Sequence, residues 1–212
     1  MTEEEKEFAG LMYSPADPAL VAIKRKAHIL SVQYSMTTED ETEKREKIIH
    51  ELFPDIGEHS RLQGPISIHY GTHTKIGKNF FANFNLTIQD DTKVTIGDDC
   101  DFGPNVTIVT PVHPLVAEER MQMRKEDGTV GPLCYAKQVH IGNRVWLGAS
   151  VTICPGVTIG DDCVIGAGSV VTHDIPSGSL AYGVPCRVIR KITKEKDSMA
   201  NKPEVLGGSS VI

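Results

Sequence analysis

Histidine is the side chain best suited to moving a proton at neutral pH, and among the eight in this 212-residue chain His113 has the setting for that work. It directly precedes Pro114, which restricts its backbone, and it stands where a regular repeat breaks into a long irregular segment. Other residues suit recognition. Asn83 and Asp91 can hydrogen-bond several hydroxyls of a polyol, and Arg187 and Arg190 offer planar forks that match phosphate better than a point charge does. The five cysteines, Cys100, Cys134, Cys154, Cys163 and Cys186, are odd in number and show no CxxC spacing. They read as reduced thiols, neither a disulfide framework nor a zinc site. Cys154 and Cys163 fall at packing positions of the repeat, so no residue stands out as a covalent nucleophile.

The elements that must position these residues fall into regions of different texture. Residues 1–55 are rich in Glu and Lys, with almost no Gly. Leu20, Ile23, Ala27, Leu30 and Tyr34 follow 3-4-3-4 spacing and make one apolar helical stripe, with Asp17 and Pro18 as its N-cap and first residue. Thr38 with Glu41 has the capping-box spacing expected to open a second helix, whose apolar face includes Ile48, Ile49 and Leu52. This helical subdomain is expected to end near Phe53-Pro54.

Residues 56–192 repeat every six positions. Aliphatic side chains recur at Ile141, Leu147, Ile153, Ile159, Ile165 and Val171, with a small or apolar residue four places after each. The same phase appears at Ile76, Ala82 and Ile88, then at Ile96, Phe102 and Ile108. Glycine directly follows four of the first six, at Gly142, Gly148, Gly160 and Gly166. Six is neither a helical period nor a simple strand alternation. It suits a short strand and a bend, with one aliphatic side chain inward per flat face and glycine relieving the corner. Three faces would close a triangular coil of roughly 18 residues, and stacked coils bury a ladder of Ile and Val. The phase slips by two around Asp90-Asp91, and a loop at 111–137 interrupts it; a loop that long in a solenoid is usually functional. Residues 193–212 form a polar, Gly/Ser-rich tail.

Bulk properties narrow the classes. A net charge of -6 argues against nucleic-acid or anionic-membrane partners. No apolar run approaches the roughly 20 residues needed to span a bilayer, and the acidic start lacks the apolar core of a secretory signal. A cytoplasmic protein is expected.

The block Ile76-Gly-Lys-Asn-Phe-Phe-Ala-Asn-Phe-Asn-Leu-Thr-Ile resembles the galactoside and maltose O-acetyltransferases, sugar-modifying members of the hexapeptide-repeat acyltransferases. So do Val106-Thr-Ile with His113-Pro114, Ile141-Gly-Asn-Arg-Val-Trp-Leu-Gly, Pro155-Gly-Val-Thr-Ile-Gly, Ile165-Gly-Ala-Gly-Ser-Val-Val-Thr and Gly183-Val-Pro-Cys-Arg-Val-Ile-Arg. The likeness covers roughly residues 5 to 192. It implies a left-handed parallel β-helix in a homotrimer with active sites between subunits. It also implies transfer of acetyl from acetyl-CoA, without a metal, to a hydroxyl of a small sugar such as maltose, glucose or a galactoside.

Such a transfer needs a base for the hydroxyl proton, donors for the tetrahedral oxyanion, and two substrates held close. By family position His113 is the base and the Ala149 amide faces the thioester oxygen. His69, Phe81, Asn83 and Asp91 form the acceptor site, with Asp17 reaching it from the helical front. His69 replaces a small hydroxyl residue and Phe81 lacks a phenol hydroxyl, and both departures point away from galactosides. Ala167, Thr172 and His173 are expected to line the pantetheine arm, and Arg187 and Arg190 to meet the phosphates. Trp146, read as lying on an outward corner, is expected to touch the cofactor or a neighbouring subunit. The residue orienting His113 is left open among Glu118, Glu119 and Glu126. An antibiotic or serine acceptor is the rival within enzymes, and a non-catalytic scaffold the rival outside them. A zinc hydratase of the same fold would need three imidazoles, and His113 lacks a second histidine five residues on.

Overall fold

The computed structural model describes residues 1–121, 123–124, 130–131 and 133–199. The chain opens with α1 (Glu3–Phe8), α2 (Pro18–Ser35) and α3 (Thr42–Leu52). Asp17 caps α2 as expected, its carboxylate accepting the Ala19 and Leu20 N–H groups at 2.9 and 3.3 Å. The capping box is displaced. It forms at Thr2 and Glu5, opening α1, whereas the Glu41 carboxylate takes the Thr38 N–H at 2.9 Å across a turn that precedes α3. Glu41 is itself the N-cap of α3 and makes no side-chain cap bond. Leu20, Ala27, Leu30 and Tyr34 are buried along α2.

The body is a parallel β-helix. Its first coil holds β1 (Arg61–Leu62), β2 (Ile66–Ile68) and β3 (Thr74–Ile76); the second holds β4 (Phe81–Ala82), β5 (Leu86–Gln89) and β6 (Val94–Ile96). The third begins with β7 (Asp101–Phe102) and β8 (Thr107–Val109). An excursion then carries β9 (Pro111–Val112), α4 (Ala117–Arg120), β10 (Met123–Arg124), β11 (Val130–Gly131) and β12 (Tyr135–Ala136), before β13 (Val139–Ile141) completes the coil. Then follow β14 (Trp146–Leu147), β15 (Thr152–Ile153), β16 (Thr158–Ile159), β17 (Val164–Ile165) and β18 (Val170–Val171). An antiparallel hairpin of β19 (Ser179–Gly183) and β20 (Cys186–Lys191) closes the end, followed by the short α5 (Lys194–Asp197).

Three sheets run along the axis. One stacks β1-β4-β7-β14-β17-β19-β20, a second β3-β6-β13-β16 and a third β2-β5-β8-β15-β18. The register carries the sequence period directly. Ile76, Ile96, Ile141 and Ile159 are successive partners, as are Ile68, Ile88, Ile108, Ile153 and Val171. The inward residues of these ladders are 0–2% exposed, so the core is a continuous aliphatic column. Burying such side chains is worth about 1.5–3 kcal/mol each.

The corners use two devices. After an inward aliphatic, glycine is required by closeness: a Cβ on Gly142 would lie 2.7 Å from the Asp161 nitrogen and strike its carboxylate, and one on Gly148 would lie 2.6 Å from the Ala167 nitrogen. Two residues after these glycine positions the backbone enters the left-handed region, at Asn79, Asn85, Asp99, Asn105, Arg144, Ser150, Gly156, Asp162 and Gly168. Asn, Asp and Gly tolerate that conformation best. At the corner between the second sheet and the next coil a polar ladder forms: Asp98 accepts from the Lys78 N–H, Asn143 from the Asp98 N–H and Asp161 from the Asn143 N–H.

Candidate active site

The two-residue slip after β5 builds a deeply buried polar cluster. Asp90 turns inward, 0% exposed, and its carboxylate accepts from the Tyr70 and Gly71 N–H groups and the Thr74 hydroxyl at 2.7–2.9 Å. Burial pushes its pKa up to about 6, while those donors and His73 pull the other way. Both His73 ring nitrogens are engaged, Nδ1 with the Asp90 carbonyl at 3.0 Å and Nε2 with Glu4 at 3.1 Å. Among the described residues no three His, Cys, Asp or Glu side chains form a metal-binding group.

Asp91 is 3% exposed. The Tyr13 hydroxyl donates to its Oδ1 at 2.7 Å, and His69 Nε2 stands 3.8 Å from the same oxygen. Its Oδ2 is buried with no hydrogen-bond partner among the described residues. A buried carboxylate oxygen without a donor is costly, so this oxygen can accept a hydrogen bond from a hydroxyl brought to it. His69 packs edge-on against Tyr70 and lies 5.6 Å from His28 of α2, centroid to centroid. Burial lowers its pKa, Asp91 opposes that, and Lys24, His28 and His73 add to the lowering. His69 is therefore a neutral ring at neutral pH, able both to donate and to accept. Glu7 of α1 reaches the same cluster fully buried, and burial followed by the Asp91 charge pushes its pKa up to about 8.

His113 is exposed, one residue past β9 at the root of the excursion. Strand β9 is held by β12, Val112 facing Tyr135, and Arg120 donates to the carbonyls of Pro114 and Leu115 at 3.3 and 3.0 Å. Glu118 and Glu119 are exposed on α4, and Glu126 lies outside the described residues.

The sequence-selected residues divide between two corners. His69, Asp91, the root of the His113 segment, Thr172 and His173 all follow strands of the third sheet. The Thr172 hydroxyl and His173 Nδ1 are 2.8 Å apart. Asn83, Ala149 and Ala167 instead follow the first sheet at the preceding corner, in successive rungs linked by the Asn83, Gly103 and Gly148 N–H bonds to Phe102, Leu147 and Ile165. A strand of two to four residues, about 7–13 Å long at 3.3 Å per residue, and the turns that flank it separate the corners. Within one chain, then, Asn83 does not meet Asp91, and Ala149 does not meet Thr172. Asn83 makes no ladder: its Oδ1 accepts from the Phe84 N–H at 2.8 Å, whereas Asn85 donates to Asn105 across one rung at 2.9 Å.

Trp146 is on the flat outer face of the first sheet and not on a corner, because β14 runs through it. It is 45% exposed, in one outward column with Arg61, Phe81, Asp101, Val164, Leu180 and, across the hairpin, Arg190. Tyr182, Val184, Val188 and Ile189 expose apolar surface beside Arg187 and Arg190. Arg190 grips Asp197 with both nitrogens, at 2.8 and 2.6 Å. The fork thus already binds an oxyanion in the bidentate manner phosphate would use. Asp17 serves as a helix cap and stands apart from both corners' hydrogen bonds. Tyr13, Glu7 and His28 were not singled out from sequence. Glu7 hides in an acidic run that reads as a solvated face, and Tyr13 belongs to no periodic pattern.

Comparison with known proteins gives two family matches: the maltose acetyltransferase hexapeptide capping motif over residues 7–57 and the bacterial transferase hexapeptide (six repeats) over 138–173. The chain is 43% identical over 192 residues to a galactoside O-acetyltransferase of Escherichia coli (strain K12), covering 91% of this chain and 90% of that protein. Among solved structures, a galactoside acetyltransferase in complex with coenzyme A superposes with a TM-score of 0.84 at 42% identity, over 92% of this chain and 93% of that one. A maltose O-acetyltransferase from Clostridium difficile 630 gives 0.83 at 42% identity, over 91% and 98%.

Proposed function

The chain belongs to the sugar O-acetyltransferase family of hexapeptide-repeat acyltransferases, and from that premise we propose that His113 is the base with which it acetylates a small sugar such as maltose, glucose or a galactoside. It is an acetyl-CoA-dependent acetyltransferase acting on a sugar hydroxyl. The observation that carries the finer reading is Asp91: a buried carboxylate with one oxygen unsatisfied, beside a neutral His69. Such a pair suits adjacent hydroxyls of a polyol, one donating to Asp91 and another bonding His69.

In the mechanism, the acceptor hydroxyl gives its proton to His113 as its oxygen attacks the thioester carbonyl. The Ala149 N–H would stabilise the tetrahedral oxyanion as a fixed dipole. The C–S bond then breaks, the acetyl ester leaves with the sugar, and the sulfur takes the proton as the CoA thiol. The outward column from Trp146 through Val164 to Arg190, with Arg187, provides an apolar strip ending in cationic groups, a fit for pantetheine and for phosphates that would replace Asp197 on Arg190.

The division between two corners supports a site shared by copies of the chain. Asn83, Phe81, Ala149 and Ala167 of one subunit would face Asp91, His69, His113, Thr172 and His173 of the next in a homotrimer. The exposed apolar strip of Ile29 and Val32 on α2, with Met36 at its C-cap, offers surface for that neighbour. Five free thiols accord with a cytoplasmic setting.

Free CoA release from acetyl-CoA across a panel of sugars, serine and antibiotics tests this reading. One sugar class is expected to turn over, with His113→Ala reducing kcat by about 10²–10⁴-fold. An unchanged rate in His113→Ala removes His113 as the base, and turnover confined to serine or an antibiotic replaces the sugar acceptor.

A further inference from the structure

Tyr13 is 0% exposed, yet it lies in the irregular segment between α1 and α2, where nothing in the helical pattern requires a buried aromatic. Its main chain and its hydroxyl do different things. The main chain forms an isolated antiparallel bridge with Cys134, Tyr13 N–H donating to the Cys134 carbonyl at 2.9 Å and Cys134 N–H to the Tyr13 carbonyl at 3.2 Å. Cys134 leads directly into β12, and β12 holds β9 with Tyr135 facing Val112. The next residue is His113. The hydroxyl meanwhile donates to Asp91 Oδ1 at 2.7 Å.

One residue therefore touches both the strand pair that carries His113 and the carboxylate whose other oxygen is unsatisfied. We propose that Tyr13 is a positioning residue for acceptor binding: its hydroxyl fixes the rotamer of Asp91 while its backbone sets the root of the His113 segment. The inference rests on reading Asp91 as an acceptor ligand. Its physical basis is that a carboxylate with a single donor swings about χ1 and χ2 once that donor is lost. The groups that face Asp91 cannot replace it. Glu7 is an acid in the same pocket, Tyr70 donates to Glu7 at 3.4 Å, and His69 stands 3.8 Å away, beyond hydrogen-bond reach. Lys24, His28 and His73 act on the site through His69.

Tyr13→Phe removes the hydroxyl and keeps the ring and the backbone bridge. With maltose or a galactoside as acceptor, the acceptor KM is expected to rise roughly tenfold, with the acetyl-CoA KM and the melting temperature nearly unchanged. In an Asp91→Asn background the same substitution should be nearly silent, because the two act as one unit. A rise shared equally by both KM values, or no rise, overturns the proposal. A second measurement needs no turnover: the carboxyl carbon resonance of Asp91, assigned by its loss in Asp91→Asn, should change position in Tyr13→Phe, because the hydroxyl that donates to it is gone. A resonance that does not move overturns the proposal. If the resonance moves while no sugar is acetylated by the wild-type protein, the sugar reading falls and the coupling of Tyr13 to Asp91 stands.

Discussion

At the scale of single residues, the cluster around Asp91 shows how burial assigns different states to chemically similar groups. Glu7 and Asp90 are both fully buried, but only Asp90 has three donors on its carboxylate. Glu7 has the Tyr70 hydroxyl at 3.4 Å and an Oε2 with no partner among the described residues, and its pKa rises furthest, to about 8 from an ordinary 4.5. The linkage follows. Between pH 4.5 and 8 the folded chain keeps a proton on Glu7 that the unfolded chain has released, so stability falls as pH rises through that window. Thermal unfolding from pH 5 to 8.5 should show Glu7→Gln gaining on the wild type with rising pH, by on the order of a few kcal/mol. Asp90 changes charge in part of the same range, and the difference between the two proteins removes its contribution. Parallel curves would mean that Glu7 stays ionised in the fold.

At the scale of elements, the hexad prescribes glycine for one reason and left-handed backbone for another, and their costs differ. A methyl group on Gly142 would collide with the backbone of Asp161 in the next coil, where two parallel ladders leave no room to shift. Gly178 has positive φ and open space around it, so a methyl group there meets only the intrinsic penalty. Gly142→Ala should cost about 3 kcal/mol and Gly178→Ala about 1–2 kcal/mol, measured by denaturant unfolding. Equal costs would show that the corners are loose enough to admit a methyl group. The helices teach a related lesson. Asp17-Pro18 caps α2 because Pro supplies the helical φ and Asp the acceptor. The Thr38–Glu41 spacing is equally good on paper, but it is spent on a turn, since the pairing of two side chains does not dictate where the helix begins.

At the scale of the whole molecule, the two-corner arrangement makes a prediction about assembly. If Asn83 of one copy completes the site of its neighbour, Asn83→Ala and His113→Ala should each be nearly inactive alone, yet restore activity when unfolded together and refolded as a mixture. Random assembly of equal amounts into a cyclic trimer leaves about one site in four with both native residues, so recovery of roughly a quarter of wild-type activity is expected. No recovery would place both residues in a single chain's site or deny the shared trimer.

What the sequence determined by itself is the coil. A period of six over consecutive hexads sets which side chains point inward, and the observed ladders follow it residue for residue, because parallel stacking preserves phase from coil to coil. Even the slip at Asp90-Asp91 was legible, and it lengthens the coils that contain it to 20 residues, as Ile76 facing Ile96 and Ile88 facing Ile108 show. The resemblance in the motifs gave the reaction class. Only the tertiary structure decided what stands around Asp91. Glu7 with Tyr13, His69 and Cys134 come from three separate stretches of chain, and their meeting depends on how α1 and the irregular segment after it dock on a corner of the solenoid. The same holds for Trp146, which the fold puts on a flat face, and for Arg190, whose fork is taken by Asp197. Local sequence carries periodicity because backbone geometry repeats; it carries no comparable signal for contacts between non-repeating segments, which are fixed only when the whole chain packs.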